Sequence, residues 1–177
     1  KSADRYDLYP DLSKPSANPP HPQNKSIMYL SLFFWYIYLM NEAFITFCIT
    51  NFLKINKYYI IQSIHPGGQG GLNYKLNGKP IYPDILAFYN GIFIIGENKP
   101  LYSESDHIKL NKLMQSKELN SKSQFILNTY CDSKNIIRSK ILKIEFFLGF
   151  EESSRLPSDN INFYNVDKDE NIKILKS

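Results

Sequence analysis

Apolar and polar positions along the chain predict one mixed α/β domain that follows an extended arm. Residues 1–26 are rich in proline and polar residues and have almost no apolar periodicity. Such a segment buries too little surface to offset the entropy of ordering it, so we expect an arm or linker. The length of 177 residues predicts a single domain over residues 27–177.

The segment Ile27–Leu53 is apolar and carries one charge, Glu42. It is long enough to cross a bilayer as a helix. However, Asn41 and Glu42 lie near its middle, where a charged side chain costs about 3 kcal/mol on insertion scales. We therefore predict a buried helix, or two helices broken near Asn41, and we do not expect a membrane partner.

Strand and helix signals follow in alternation. β-branched and aromatic residues over Tyr58–Ile64 predict a strand, and the glycine-rich residues 65–71 predict a loop. This loop is not a phosphate-binding loop, because no Gly-Lys-Ser/Thr follows it. Further predictions are a helix over Ser105–Leu119 capped by Ser103 or Ser105, a strand over Gln124–Tyr130, a helix or strand over Ile136–Phe147, and a hairpin formed by Asn162–Val166 and Ile172–Leu175.

The sharpest local signal is Asn90-Gly91 between two apolar runs. This dipeptide favours a type I′ hairpin turn, in which both central residues have positive φ. If Tyr89 pairs with Ile92, the register places Asp84 directly across from Glu97. Their Cβ atoms are then about 5 Å apart on one face of the sheet. Alternation along the strand predicts that Lys99 shares that face.

Two carboxylates this close repel each other unless a cation neutralises them, so the pattern indicates a divalent metal site. Oxygen ligands favour Mg²⁺ or Mn²⁺, which keep several waters that a substrate phosphate can displace. We predict that Asp84 and Glu97 bind the metal. Lys99 would stabilise the developing negative charge or position the attacking water. The predicted reaction is hydrolysis of phosphodiester bonds.

Pro83-Asp84 followed by Glu97-Asn98-Lys99 resembles the bipartite signature of the PD-(D/E)XK nuclease superfamily. The resemblance implies a restriction-endonuclease-like fold, an α/β architecture with a mixed central sheet flanked by helices. It also implies that Asp84 and the Glu-x-Lys stand on adjacent strands. Many members carry an acidic residue on an N-terminal helix as a further metal ligand, and Glu42 is the matching position here.

Four other residues are candidates for contact with nucleic acid. Lys109, Lys112 and Gln115 lie on the predicted helix, where polar residues of some members of the resembled family reach the backbone. A solvated helix face is the alternative interpretation. His65 precedes the glycine-rich loop, and a histidine stands upstream of the Pro-Asp motif in viral cap-snatching relatives. The alternative for His65 is an ordinary surface loop position.

Net charge and cysteine content only weakly constrain the partner and the location of the protein. The 21 basic and 17 acidic side chains give a net charge of +4, which is compatible with a polyanionic partner. Cys48 and Cys131 have no paired spacing and predict buried thiols rather than a disulfide or zinc cluster. We expect the cytoplasm or nucleus rather than secretion. A homodimer and a larger multidomain chain both stay open.

The leading hypothesis is a metal-dependent endonuclease that acts on DNA, as a restriction-type enzyme or as a nuclease module of a larger protein. One alternative is an RNA endonuclease of the cap-snatching type, which His65 favours. Another is a catalytically silent module of the same fold that binds nucleic acid or protein. The intact Asp84, Glu97 and Lys99 argue against that silent form.

Overall fold

The structure of the protein, a computed structural model, describes residues 42–68, 70–151 and 160–175. The arm predicted over residues 1–26 and the break predicted near Asn41 lie outside this range. Helix α1 covers residues 42–55. The elements after α1 are β1 (Tyr59–Ser63), β2 (Tyr74–Leu76), β3 (Lys79–Ile81), β4 (Ile85–Tyr89), β5 (Ile92–Asn98), α2 (Glu104–Met114), α3 (Leu119–Lys134), β6 (Lys143–Glu151), β7 (Asn162–Val166) and β8 (Ile172–Leu175).

Six of the strands form one mixed sheet with the order β1-β4-β5-β6-β7-β8. β4 runs antiparallel to both of its neighbours, β1 and β5. β5, β6 and β7 run parallel, and β8 returns antiparallel to β7. A parallel pair needs a long crossover, and α2 with α3 supplies it between β5 and β6. The predicted α/β class with a mixed sheet and helices is therefore confirmed.

The central strand β5 is buried on both faces, so alternate side chains belong to two separate cores. Phe93 and Ile95 pack in a cluster with residues of α2 and α3. Ile94 packs in the other cluster, which holds Ile45 and Ile49 of α1. Each such buried side chain contributes about 1.5–3 kcal/mol. These two layers hold the end of β5, where the candidate site lies, between α1 and α2.

Several predicted elements are confirmed. The strand expected over Tyr58–Ile64 is β1, and the C-terminal hairpin is the antiparallel pair β7 and β8. The helix predicted over Ser105–Leu119 is α2, which ends earlier, at Met114. Ser103 is its cap, since its Oγ accepts a hydrogen bond from the backbone N–H of Asp106.

The strand predicted over Gln124–Tyr130 is wrong, because these residues lie inside helix α3. The buried residues of α3 include Leu119, Ser123 and Ile126, at spacings of three and four that belong to a helix. The undecided segment Ile136–Phe147 ends in a strand, β6, which begins at Lys143 and continues to Glu151. Within the described part of the chain, no helix combines the length and apolar character that a membrane span requires.

A small second sheet, β2 paired with β3, stands apart from the main sheet. Its turn, Asn77-Gly78, has positive φ at both residues and repeats the chemistry of Asn90-Gly91. Tyr74 of β2 is buried, and its hydroxyl lies 2.8 Å from Ser123 Oγ of α3. This contact anchors the small hairpin to the helical layer.

Candidate active site

The turn at Asn90-Gly91 sets the geometry of the site. Asn90 has φ +46° and Gly91 has φ +83°, as a type I′ turn requires. Tyr89 pairs with Ile92, and the register continues to Ile85 opposite Gly96. The next position along each strand is Asp84 on one side and Glu97 on the other. The predicted register is therefore confirmed.

Asp84 and Glu97 form a carboxyl pair, in which Glu97 is buried and Asp84 is half-buried. The Glu97 residue is 2% exposed. Burial, and then the charge of Asp84, raise the pKa of Glu97 to about 8. Burial also raises the pKa of Asp84, whose Oδ2 accepts a 2.8 Å hydrogen bond from the backbone N–H of Asn98. A protonated Glu97 can donate a hydrogen bond to Asp84, so the two groups lie close enough to share one proton.

Lys109, one of the predicted nucleic-acid contacts, forms two ion pairs within the site. Its Nζ lies 2.9 Å from Glu97 Oε1 and 2.8 Å from Asp106 Oδ1. Burial lowers the pKa of Lys109, but the charge of Glu97 and the contacts with Asp106 outweigh it and raise that pKa. The ammonium group therefore stands where positive charge is needed between two carboxylates.

Asp106 was not among the predicted site residues. Its Oδ2 accepts a 2.8 Å hydrogen bond from Ser103 Oγ. Burial raises the pKa of Asp106, but the contact with Lys109 and the bond from Ser103 outweigh burial and lower that pKa. The signal for Asp106 was Ser103-x-x-Asp106, a capping-box pattern with aspartate in the usual place of glutamate. That pattern predicts a helix start. It does not predict that the carboxylate also reaches Lys109.

Lys99 and Glu42 form an ion pair across the end of the sheet, with Nζ 3.2 Å from Glu42 Oε1. Burial lowers the pKa of Lys99, but Glu42 and then Asp84 outweigh it and raise that pKa. Burial raises the pKa of Glu42. The charge of Asp84 acts on the amine of Lys99, but the ammonium group bonds to Glu42 on α1, and this carboxylate was the predicted further metal ligand.

Asn98, between Glu97 and Lys99, points to the opposite face as predicted. It is fully buried, and its Nδ2 donates a 3.0 Å hydrogen bond to Thr46 Oγ1 on α1. Its Oδ1 lacks a hydrogen-bond donor among the described residues. Gly149 of β6 lies against this oxygen and against Ile49, and a Cβ at that position would overlap both. Asn98 thus ties the site-bearing end of β5 to α1.

The Pro83-Asp84 end of β4 is held by Gln62 of β1, a positioning residue that the sequence analysis missed. Gln62 Nε2 donates a 2.6 Å hydrogen bond to the Pro83 carbonyl, and its Oε1 accepts one from Leu72 N–H. The backbone N–H of Ile64 donates to the Asp84 carbonyl at 2.8 Å. His65 therefore follows directly after a residue that pairs with Asp84, and its side chain is exposed.

Lys112 and Gln115 lie outside the carboxylate cluster. Both line a cleft of about 610 Å³ between the end of α2 and the β2–β3 hairpin, together with Lys75. Lys112 follows Lys109 by one turn of α2, so the cleft begins next to the site. The structure thus separates the predicted nucleic-acid contacts into a site residue, Lys109, and two cleft residues.

The donor set fits Mg²⁺ or Mn²⁺. Glu97 Oε1 is buried and has an ion pair with Lys109, yet no donor among the described residues meets it at hydrogen-bonding angles. In the described ranges, no group of three or more His, Cys, Asp or Glu side chains is arranged to hold a metal. Two carboxylates suffice for Mg²⁺, since it takes its remaining ligands from water and substrate phosphate.

Comparison of the chain with models of protein families, with curated proteins and with solved structures finds no match.

Proposed function

We propose that this protein is a metal-dependent endonuclease that hydrolyses phosphodiester bonds, with DNA as its substrate. The observation that carries the proposal is the pair of half-buried Asp84 and buried Glu97, which meets two lysines, Lys99 and Lys109, at the end of one hairpin. A buried carboxyl pair costs stability unless a proton or a cation compensates it, and functional sites are where such arrangements concentrate.

Asp84 and Glu97 would hold Mg²⁺ or Mn²⁺, which when bound supplies Lewis acidity toward a phosphate oxygen. The backbone N–H of Asn98 fixes the rotamer of Asp84 through its hydrogen bond to Oδ2. Lys99 donates to the phosphate oxygen on which negative charge grows as water attacks phosphorus. The water oxygen bonds to phosphorus and gives up a proton to solvent, the bond between phosphorus and the leaving oxygen breaks, and that oxygen takes a proton from solvent. Glu42 keeps Lys99 protonated for this role.

The fold supports this proposal. A mixed sheet carries Asp84 and Glu97 on neighbouring strands, and an acidic residue, Glu42, lies on the helix before them. That arrangement is what resemblance to the PD-(D/E)XK superfamily implies for a restriction-endonuclease-like core.

An RNA endonuclease of the cap-snatching type is the second candidate. The position of His65, one residue beyond the Ile64 contact with Asp84, favours it. A histidine there would add a nitrogen ligand, which Mn²⁺ accepts more readily than Mg²⁺. Preference between labelled DNA and RNA in the presence of Mn²⁺ discriminates the two substrates.

The test combines cleavage with metal binding. Wild-type protein is incubated with Mn²⁺ and labelled single-stranded DNA, duplex DNA or RNA, and Mn²⁺ affinity is measured separately by calorimetry. Asp84→Asn is expected to abolish both metal binding and cleavage, whereas Lys99→Met is expected to abolish cleavage and retain metal binding. The exposed residues Asp169 and Lys173 supply the matched controls Asp169→Asn and Lys173→Met.

Cleavage by Asp84→Asn at the wild-type rate would overturn the assignment. If the wild-type protein binds no Mn²⁺ and cuts no substrate, the protein is a catalytically silent module rather than an enzyme.

A further inference from the structure

The cleft beside the site is lined by lysines that take no part in the proposed chemistry. Its main chamber, of about 610 Å³, is bordered by Lys75, Lys112 and Lys117. A smaller chamber of about 230 Å³ adjoins it, shares Lys75 as a lining residue and adds Lys122. Gln115 and Asn77 contribute neutral polar groups to the main chamber. Positive charge thus converges on one concave surface.

These lysines differ from those of the active site in how their charge is balanced. Lys99 and Lys109 are paired with buried carboxylates. In the described ranges of the chain, Lys75, Lys112 and Lys117 form no ion pair, and all three are exposed. Glu118 is the one carboxylate that borders either chamber within those ranges. The cleft therefore keeps uncompensated positive charge, which attracts a polyanion.

The walls of the cleft lead into the active site on both sides. On one wall, Lys112 and Gln115 continue the α2 face that begins with Lys109. On the other wall, β3 runs from the Asn77-Gly78 turn that lines the cleft to Ile81, and Asp84 follows three residues after Ile81. From Lys109 to Gln115 the helix advances about 9 Å, which is on the order of two or three nucleotide steps of 3.4 Å in one strand of a duplex.

We infer that this cleft, bordered by Lys75, Lys112 and Lys117, binds the phosphodiester backbone of the substrate and leads it to Asp84 and Glu97. The inference rests on the proposed function, since it names the path of that same substrate. Lysine ammonium groups contact phosphates as point charges without reading bases, so this binding is independent of sequence and sensitive to salt.

The experiment measures binding without cleavage. Binding is measured by fluorescence anisotropy in EDTA at NaCl concentrations between about 50 and 200 mM. The labelled oligonucleotides are about 20 nucleotides long, which exceeds common single-strand binding sites of about 4–16 nucleotides. The arms are single-stranded DNA, duplex DNA and RNA. Metal is absent, so binding here is judged apart from hydrolysis. If the wild-type protein binds these oligonucleotides in EDTA but does not hydrolyse them with Mn²⁺, only the proposed reaction is overturned. If the wild-type protein does not bind them in EDTA, the inference about the cleft is overturned.

The triple variant Lys75→Ala, Lys112→Ala and Lys117→Ala is compared with Lys54→Ala, Lys140→Ala and Lys168→Ala, which removes the same charge from exposed positions outside the cleft. The cleft variant is expected to bind more weakly. Its plot of log K against log salt concentration should be less steep than that of the wild type by about 2–3 units, because each lost phosphate contact removes about 0.7–0.9 unit. The control variant should keep the wild-type slope.

A gain of affinity supplies the complementary test, because misfolding cannot produce it. Glu118→Gln removes the carboxylate that borders the cleft and is expected to tighten binding several-fold at low salt. Equal losses in the two triple variants, no gain in Glu118→Gln, or equally tight binding of a labelled polyglutamate would each overturn the inference.

Discussion

Lys109 places its ammonium group 2.9 Å from the buried Oε1 of Glu97, so a side chain from α2 holds positive charge at the carboxyl pair of the hairpin. The same group contacts Asp106 at 2.8 Å. A carboxylate that is 3% exposed at its side chain cannot draw on solvent for this compensation. Lys109 and a proton on Glu97 are therefore two alternative means of balancing one buried charge.

Replacement of Lys109 by methionine removes the first of these means. We expect Lys109→Met to lower the free energy of unfolding of the metal-free protein by roughly 2 kcal/mol above the Glu97 pKa of about 8. Below about pH 6 the loss should shrink, because Glu97 then carries a proton. Urea unfolding at both pH values measures the difference. Lys112→Met, one turn further along α2, is the control, and an equal loss in that variant would contradict the expectation.

The raised pKa of Glu97 also sets how stability depends on pH. The folded protein retains a proton on Glu97 up to a pKa of about 8, whereas the ordinary glutamate pKa is 4.5. This difference stabilises the folded state fully below pH 4.5, and the stabilisation is lost as pH rises from 4.5 to about 8. Burial raises the pKa values of Asp84 and Glu42 too, and their contributions have the same sign.

Glu97→Gln keeps the shape of the side chain and removes its titration. We expect the unfolding free energy of this variant to fall less than that of the wild type across the same pH interval, in metal-free buffer. Urea unfolding at a series of pH values gives both curves. Parallel curves would show that Glu97 does not titrate in this window.

The sequence predicted the hairpin register correctly, because local rules set that geometry. Asn90-Gly91 determines a two-residue turn, and the turn determines which residues stand opposite each other, so Asp84 and Glu97 followed by counting. Asn77-Gly78 carries the identical signal. It predicts the β2–β3 hairpin by the same rule.

Tertiary packing determined what the sequence could not show. Which face of α2 meets the sheet depends on how the helix docks, so the contact from Lys109 to Glu97 had no local signal. The error at Gln124–Tyr130 has a similar origin, because a short stretch containing Phe125 and Tyr130 fits a strand by composition. The buried set continues with a helical period only when read from Leu119 to Cys131.

The contact between Glu42 and Lys99 predicts a pH effect on activity. Glu42 is the largest of the influences that raise the pKa of Lys99 against burial, so Glu42→Gln is expected to lower that pKa. If protonated Lys99 stabilises the reacting phosphate, the alkaline limb of the cleavage rate then moves to lower pH. Rate profiles with Mn²⁺ measure the shift. Glu104→Gln, at an exposed carboxylate of α2, is the control, and a common limb in both variants would contradict this role.

Thr46 provides the last test, since it links α1 to the strand that carries the site. Its Oγ1 accepts a hydrogen bond from buried Asn98 Nδ2, and Asn98 separates Glu97 from Lys99. Thr46→Val preserves the volume and leaves that amide without its acceptor, so we expect a loss of about 1–3 kcal/mol in unfolding free energy. Thr129→Val, in which the exposed Thr129 loses only a bond to the Phe125 carbonyl, should change stability by less than about 0.5 kcal/mol.

Because a displaced Asn98 also moves its backbone N–H away from Asp84 Oδ2, Thr46→Val should weaken Mn²⁺ binding at temperatures where the variant is folded. Calorimetry on both variants separates this effect from the change in stability, and wild-type metal affinity in Thr46→Val would show that the Asn98 side chain does not position Asp84.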